Sequence, residues 1–354
     1  MVKGEIIPLK SDIIKSPYKY SIVENLFFYI LSLLIKIIIM IKDKDVNLYL
    51  KKRQEIDAPN HHDLLPSQLR EERLKQLKLD NLVGPELKKV FDTQIQSFDN
   101  DKINLRVYIP FVTERDKRVP IILFFHGGGF VMGNLETHDF PCRCISKYSE
   151  MIVVAVDYRL APENKFPIPY KDAEQAVKQL GFLKTENCDF SNLIVCGDSA
   201  GGNLAAVLSI NSSKKLLPKI KGQILIYPWV DFTLSMKSSD FNLPGATLTC
   251  DTLSYFAQHY LRSKNDEVNY EASPLFSKDL YNQPNTFIFA AELDPLLDEG
   301  IAYFNRLKTY GNNVNYKLYK DQLHGFVTNS KHFPKGLDCL KEIAKSAKIL
   351  VSGF

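Results

Sequence analysis

Residues 194–203 read Ile-Val-Cys-Gly-Asp-Ser-Ala-Gly-Gly-Asn, an apolar strand that enters Gly197-x-Ser199-x-Gly201 and continues into Leu204-Ala205-Ala206-Val207-Leu208, a run suited to a helix. Strand, tight turn and helix in that order form the setting of a nucleophile elbow. The serine of such a turn sits on strained backbone, so the residues two places to either side must lack a colliding Cβ. Gly197 and Gly201 meet that need.

Upstream of this turn, Pro120-Ile121-Ile122-Leu123-Phe124-Phe125 reads as a buried strand that breaks into His126-Gly127-Gly128-Gly129-Phe130. Gly127, Gly128 and Gly129 bare the backbone, so their N–H groups, with that of Ala200, suit the developing negative oxygen of a tetrahedral intermediate. A phosphate-binding loop is the rival reading. It is disfavoured because the chain has no GxxxxGK[ST] pattern and these glycines do not fit GxGxxG followed by an acidic ribose ligand.

Downstream, Asp294 follows the apolar run Thr286-Phe287-Ile288-Phe289-Ala290-Ala291, and His324 follows the alternating run Val314-Asn315-Tyr316-Lys317-Leu318-Tyr319-Lys320. The order Ser199, Asp294, His324 is that of acyl-transfer sites on open α/β sheets. Each residue falls just beyond the carboxyl end of a strand, where such sheets hold their ligands. Asp298 opens the next helix and is expected to cap it. Asp321 is expected to cap or solvate its loop.

Of seven histidines, only His126 and His324 directly follow strands in glycine-containing loops. His126 is expected to be structural, bonding the glycine loop in place. His61 and His62 are expected in solvent, and His138, His259 and His332 fall in helical or loop surroundings without partner motifs. Asp198 is expected to hold the turn, and Arg159 and Glu163 to pair or bond to loops.

With Asp157-Tyr158-Arg159-Leu160-Ala161-Pro162-Glu163, Tyr227-Pro228-Trp229-Val230-Asp231, Asp294-Pro295-Leu296-Leu297-Asp298-Glu299-Gly300 and His324-Gly325-Phe326, these motifs complete a set. The chain resembles the hormone-sensitive-lipase-like branch of the α/β-hydrolases, which contains bacterial carboxylesterases and arylacetamide-deacetylase-like enzymes. The resemblance runs from about Leu65 to near the C-terminus. It implies an α/β-hydrolase fold, with a mostly parallel eight-stranded sheet, helices on both faces and a helical cap. It further implies Ser199 as nucleophile, His324 as general base, Asp294 as its orienting acid, and Gly127, Gly128, Gly129 and Ala200 as oxyanion hole. The expected reaction is hydrolysis of short to medium acyl esters through an acyl-enzyme, with no metal or organic cofactor. Amide or formamide hydrolysis is the alternative within the same site. A non-catalytic small-molecule receptor is another, though the presence of His324 speaks against it. A third is a membrane-attached interaction protein that would use the N-terminal helix and ignore the site.

From Val90 onward strands alternate with helices. The expected strands are Val90–Phe98, Ile103–Ile109, Ile121–Phe125, Ile152–Val156, Leu193–Cys196, Gln223–Tyr227, Thr286–Ala291 and Val314–Lys320, with helices such as Tyr170–Leu180 and Asp298–Tyr310 between them. That alternation argues a doubly wound, mostly parallel sheet. Asp99-Asn100-Asp101-Lys102 looks like a hairpin turn, which makes the first edge antiparallel. Two regions break the pattern: residues 1–89, and an insertion at about 231–275 within the catalytic residues 90–354. The resemblance implies that they pack together as a cap.

The 45 Lys and Arg against 41 Asp and Glu leave a net charge of +4, spread along the chain, which argues against a nucleic-acid binder; the partner that the resemblance implies is a small ester. The apolar share of 45% and charged share of 24% are those of an ordinary folded protein. Six cysteines form no CxxC pair, and Cys142-x-Cys144 lacks a second half for zinc. Cys196 reads as a small buried apolar residue. Residues 25–41, within an expected helix at 22–41, are apolar all round except for Lys36. Such a helix must be buried in something. It is marginal against the roughly 20 residues a bilayer span needs, although Lys36 could snorkel. Membrane contact through residues 22–41 and packing within the cap both stay open, so the protein is expected to be cytoplasmic or membrane-associated. A cleaved secretory signal is disfavoured, because Lys42-Asp43-Lys44-Asp45 stands where small residues should be. Oligomeric state is not legible in the sequence.

Overall fold

The computed structural model describes residues 41–112, 118–182 and 187–352. The expected helix at 22–41 lies outside the described residues except for Ile41. Among the described residues no helix is long and apolar enough to cross a membrane. The chain divides into two compact units, Met1–Lys42 and Asp43–Phe354, and the sheet with its helices belongs to the second.

Eight strands form one sheet: β1 (Lys89–Gln96), β2 (Lys102–Ile109), β3 (Val119–Phe125), β4 (Ile152–Asp157), β5 (Cys188–Asp198), β6 (Gly222–Ile226), β7 (Asn285–Leu293) and β8 (Val314–Leu323). Their order is β1-β2-β4-β3-β5-β6-β7-β8. β2 runs antiparallel to β1 and β4, and every other neighbour is parallel. The β1–β2 turn is made by Asn100 at φ 65°, with the Asp99 side chain accepting the Asp101 N–H. Asparagine tolerates this left-handed backbone better than most residues. The central β4 and β6 are buried at nearly every position, as parallel strands covered on both faces are.

Helices α3 (Asp139–Ser149), α4 (Ile168–Gln179), α5 (Ala200–Ser213), α7 (Leu297–Thr309) and α8 (Pro334–Ser352) cover the sheet. Strand alternation divides β3 between the two layers. Ile121, Leu123 and Phe125 join the core that contains Ala173, Ala176 and Val177 of α4 and Leu204 to Leu208 of α5. Ile122 and Phe124, also buried, turn to the other face, where α3 packs on α8.

The strands differ from expectation mainly at their ends. β5 begins at Cys188 rather than Leu193 because Val119 and Pro120 pair with Cys188 and Asp189 before the register shifts at Ile121. The resulting bulge, Phe190-Ser191-Asn192, carries one exposed phenylalanine between polar residues, so it shows no alternating apolar pattern to read. β8 runs past Lys320 to Leu323 across a second shift opposite Ala291 to Leu293.

Outside the alternation stand α1 (Lys44–Glu55), α2 (Pro66–Asp80) and α6 (Cys250–Tyr260). Asp43 caps α1 by accepting the Asp45 and Val46 N–H groups, while Lys52 and Arg53 lie in its last turn, favourable against the helix dipole. The two outlying regions touch. Gln54 donates to the Pro244 carbonyl at 2.8 Å, Arg53 to the Gly245 carbonyl at 3.0 Å, and the Tyr255 hydroxyl to the Leu64 carbonyl at 2.9 Å.

Candidate active site

Ser199 follows β5 with φ 54° and ψ −117°, a conformation costing about 1–3 kcal/mol for a residue with a Cβ. The surroundings hold it there. Its N–H donates to the Ile226 carbonyl at 2.8 Å, and its carbonyl accepts the Asn203 N–H at 3.1 Å. A Cβ on Gly201 would run into the Phe125 carbonyl, and one on Gly197 into the Gly201 backbone. Both glycines are required by close approach.

His324, in the loop after β8, places Nε2 3.0 Å from Ser199 Oγ and Nδ1 2.7 Å from Asp294 Oδ2. The other Asp294 oxygen accepts the Leu296 N–H at 2.8 Å, which fixes the carboxylate. Three strand ends thus converge on one hydrogen-bonded relay. Its two flanking groups, Ser199 and Asp294, are almost fully buried.

The glycine loop departs from expectation at its first member. Gly127 N–H donates to Asp198 Oδ1 at 2.9 Å, so it is not available to a substrate oxygen. Gly128 and Gly129, at φ 118° and 60°, follow it, and no acceptor among the described residues takes their N–H groups or that of Ala200. The candidate oxyanion donors are therefore Gly128, Gly129 and Ala200, without Gly127.

Behind the loop lies a buried polar cluster. Burial opposes the Asp198 charge, but His138, His126 and the Gly127 N–H together hold its pKa below the usual carboxylate range. His138 Nε2 stands 3.1 Å from Asp198, and its Nδ1 2.9 Å from the Thr137 hydroxyl. His138 therefore does have a partner, which sequence did not reveal. Burial, helped by His138, pushes His126 down to about 3. The neutral ring lies 2.8 Å from the Gly127 carbonyl through Nδ1 and stacks on Tyr158, whose hydroxyl donates to the His126 carbonyl at 2.6 Å.

Other expectations are corrected. His61 is half-buried rather than free in solvent: it lines the site cavity, and burial, then Arg53, Arg73 and His62, lower it to about 3. His62 bonds Thr252, and His332 lies 3.1 Å from Asp80. Asp298 does not cap α7, whose N-cap is Leu296. Its carboxylate instead accepts the Ser238 N–H at 2.9 Å and ties the 231–275 region to the helix. The Asp321 N–H donates to the Glu292 carboxylate. Arg159 and Glu163 pair as expected: Arg159 reaches Asp172 at 2.7 Å and Asp99 at 2.8 Å, and Glu163 accepts two bonds from Arg70.

A cavity of about 630 Å³ holds Ser199 and His324. Tyr49, Leu69 and Arg73 of α1 and α2 form one wall, and Leu248, Leu253 and Phe256 another. No sequence motif marks these wall residues. Chemically, the relay can draw a proton from Ser199 Oγ to Nε2 while three N–H groups await a negative oxygen. Among the described residues no group of three or more His, Cys, Asp or Glu could hold a metal ion.

Residues 122–328 match a family model described as alpha/beta hydrolase fold, and residues 71–163 one described as the carboxylesterase family. The chain is 32% identical to Esterase LipI of Mycobacterium tuberculosis over 77% of its own length and 85% of the relative's. It is 34% identical to an arylesterase of Saccharolobus solfataricus over 64% and 73%. Among solved structures, an esterase of Pyrobaculum calidifontis superposes with a TM-score of 0.79 at 36% identity, over 85% of this chain and 98% of the other. Sequence, fold and relay geometry converge, and the chain belongs to the α/β-hydrolase family, in its hormone-sensitive-lipase-like branch of carboxylic ester hydrolases.

Proposed function

We propose that this protein hydrolyses short to medium acyl esters through a serine acyl-enzyme. The observation that carries the reading is the unbroken relay from Ser199 Oγ to His324 at 3.0 Å and on to Asp294 at 2.7 Å. His324 Nε2 takes the Ser199 proton as Oγ attacks the ester carbonyl. The carbonyl oxygen becomes an oxyanion held by the N–H groups of Gly128, Gly129 and Ala200. As the C–O bond to the alcohol breaks, His324 returns the proton to the departing oxygen, and the acyl group stays on Ser199. A water, deprotonated in turn by His324, attacks the acyl-enzyme, and as the bond to Oγ breaks His324 passes that proton to Ser199 Oγ and the acid leaves. Asp294 holds the imidazole in the tautomer that carries its proton on Nδ1 and favours the imidazolium formed at each attack.

The regions at 43–89 and 231–275 act as a cap whose side chains wall the acyl and alcohol pockets. A cavity of about 630 Å³ with Leu69, Leu253 and Phe256 at its sides supports the short to medium range. The test is labelling by a serine-reactive fluorophosphonate, with esters of graded acyl length as substrates. Wild type should label and Ser199→Ala should not. Failure of folded wild type to label would overturn the reading.

A further inference from the structure

Arg73 on α2 lines the same cavity as Ser199 and His324. Its Nη1 donates to Asn329 Oδ1 at 3.0 Å, and Asn329 Nδ2 donates to the Gly325 carbonyl at 2.9 Å, beside His324. One asparagine therefore ties this guanidinium to the loop that carries the histidine. A guanidinium has five N–H groups, and among the described residues only one of them meets a protein acceptor. No carboxylate among the described residues lies within ion-pair distance of it. Asp80 acts on Arg73 electrostatically, yet its Oδ1 is taken by Gln76 and His332.

The rest of the wall does not supply the missing charge. Asp198 is answered by His138 and the Gly127 N–H, and Glu72 is exposed and paired with Lys75. Asp45 is exposed at the far end of α1. Arg53 and Lys331 donate to backbone carbonyls, not to acids. Burial lowers the Arg73 pKa, but arginine keeps its proton in proteins. Arg73 is half-buried in the cavity wall, and a partly desolvated cation without a counter-ion is stabilised by an anion beside it.

We propose that the ester taken by this site carries an anionic group, in the simplest case a carboxylate, which Arg73 binds through its unused N–H groups while Ser199 addresses the ester carbonyl. The planar fork of arginine suits a carboxylate bidentately, and such charge-assisted bonds are stronger than neutral ones. The inference rests on the serine-hydrolase reading of the same site.

Two substrate pairs test it. Mono-4-nitrophenyl glutarate against 4-nitrophenyl pentanoate places the charge on the acyl side, and 4-acetoxybenzoate against 4-acetoxybenzamide places it on the alcohol side. In at least one pair the anionic member should have the higher kcat/KM in wild type, by about tenfold, the size of a bond to a charged group. Arg73→Met should remove that preference, Arg73→Lys should keep part of it, and raising salt from about 0.05 to 0.5 M should weaken it. Taking the ratio within each variant cancels any loss of folded protein. A wild-type ratio at or below one in both pairs, or a ratio that Arg73→Met leaves unchanged, overturns the inference while leaving ester hydrolysis standing. Failure of wild type to hydrolyse the neutral esters and to take up fluorophosphonate overturns the underlying reading instead.

Discussion

The carboxyl edge of the sheet and the walls that close over it are built differently. At the edge, functional groups are fixed by backbone: the Ser199 N–H goes to the Ile226 carbonyl, Asp294 accepts the Leu296 N–H, and Asp198 accepts the Gly127 N–H. The walls are joined to each other through side chains, such as Gln54 to the Pro244 carbonyl and Tyr255 to the Leu64 carbonyl. They also leave apolar surface open, with Leu48 at 51% and Ile56 at 75% exposure. Backbone constraint places reacting atoms to the tolerance that acyl transfer requires. The walls touch that constraint at two places, Phe256 against Gly129 and Arg73 through Asn329 to the Gly325 carbonyl. On the function proposed above, the edge would carry the reaction and the walls the choice of ester.

The largest effect that would break this division is at Asp294. Asp294→Asn keeps an oxygen for the Leu296 N–H, so the melting temperature should stay within a few degrees, yet the amide cannot favour the required imidazole tautomer. Turnover should fall by about four orders of magnitude. Full activity would move the acid elsewhere, and Asp298 would then have to leave its bond with Ser238.

A smaller effect comes where the two regions meet. A Cβ on Gly129 would strike the ring of Phe256, which belongs to the wall, and Gly129 has φ 60°. Gly129→Ala should lower kcat by about 10²- to 10³-fold by displacing an oxyanion donor. Adding Phe256→Ala should recover part of that loss, leaving the left-handed backbone penalty of about 1–2 kcal/mol. Activities must be scaled to folded protein, because removing a buried phenylalanine costs about 3–5 kcal/mol. A double variant no better than the single one would show that the wall has no hold on the loop.

The same division explains what was legible in the sequence. β3, β4, β6 and β7 are continuous apolar runs because both faces are covered, and Ser199, Asp294 and His324 directly follow strands, so local pattern located them. Gly127 reads as an oxyanion donor in the sequence because a triple glycine shows that backbone is bare but not where each N–H points. Its acceptor, Asp198, lies 71 residues away. His138 shows no partner in the sequence for the same reason, since it pairs with Asp198, far along the chain. Arg73 and His61 lie on or beside helices with no motif. Only the folding of residues 43–89 over the edge brings them to the cavity. The bulge opposite Pro120 and Ile121 conceals the start of β5, because Phe190-Ser191-Asn192 interrupts the apolar alternation.

The smallest effect concerns acid. His126 in the edge and His61 in the wall are both lowered by burial to about 3, against 6.5 when unfolded. Between those values the unfolded chain binds protons that the folded chain does not, so stability must fall as pH drops through that window. The slope is up to about 1.4 kcal/mol per pH unit for each fully buried group. Asp198 behaves differently: its folded pKa is depressed, so its contribution is present above roughly pH 4 and is lost only below it. His259, lowered by burial, and Glu299, raised by burial, also titrate in the interval from pH 6.5 to 4, so the share of each of the two histidines is read as the difference between its variant and wild type. His126, 2% exposed, should carry nearly the full slope, whereas water at the half-buried His61 screens its share. Urea midpoints at about pH 7, 5.5 and 4.5 should therefore flatten more in His126→Asn than in His61→Gln, whatever stability each loses at pH 7. A larger flattening in His61→Gln would mean that the wall is as dry as the sheet edge. Its charges would then be as costly to leave unpaired, and the wall would take part in fixing the reaction as well as choosing the ester.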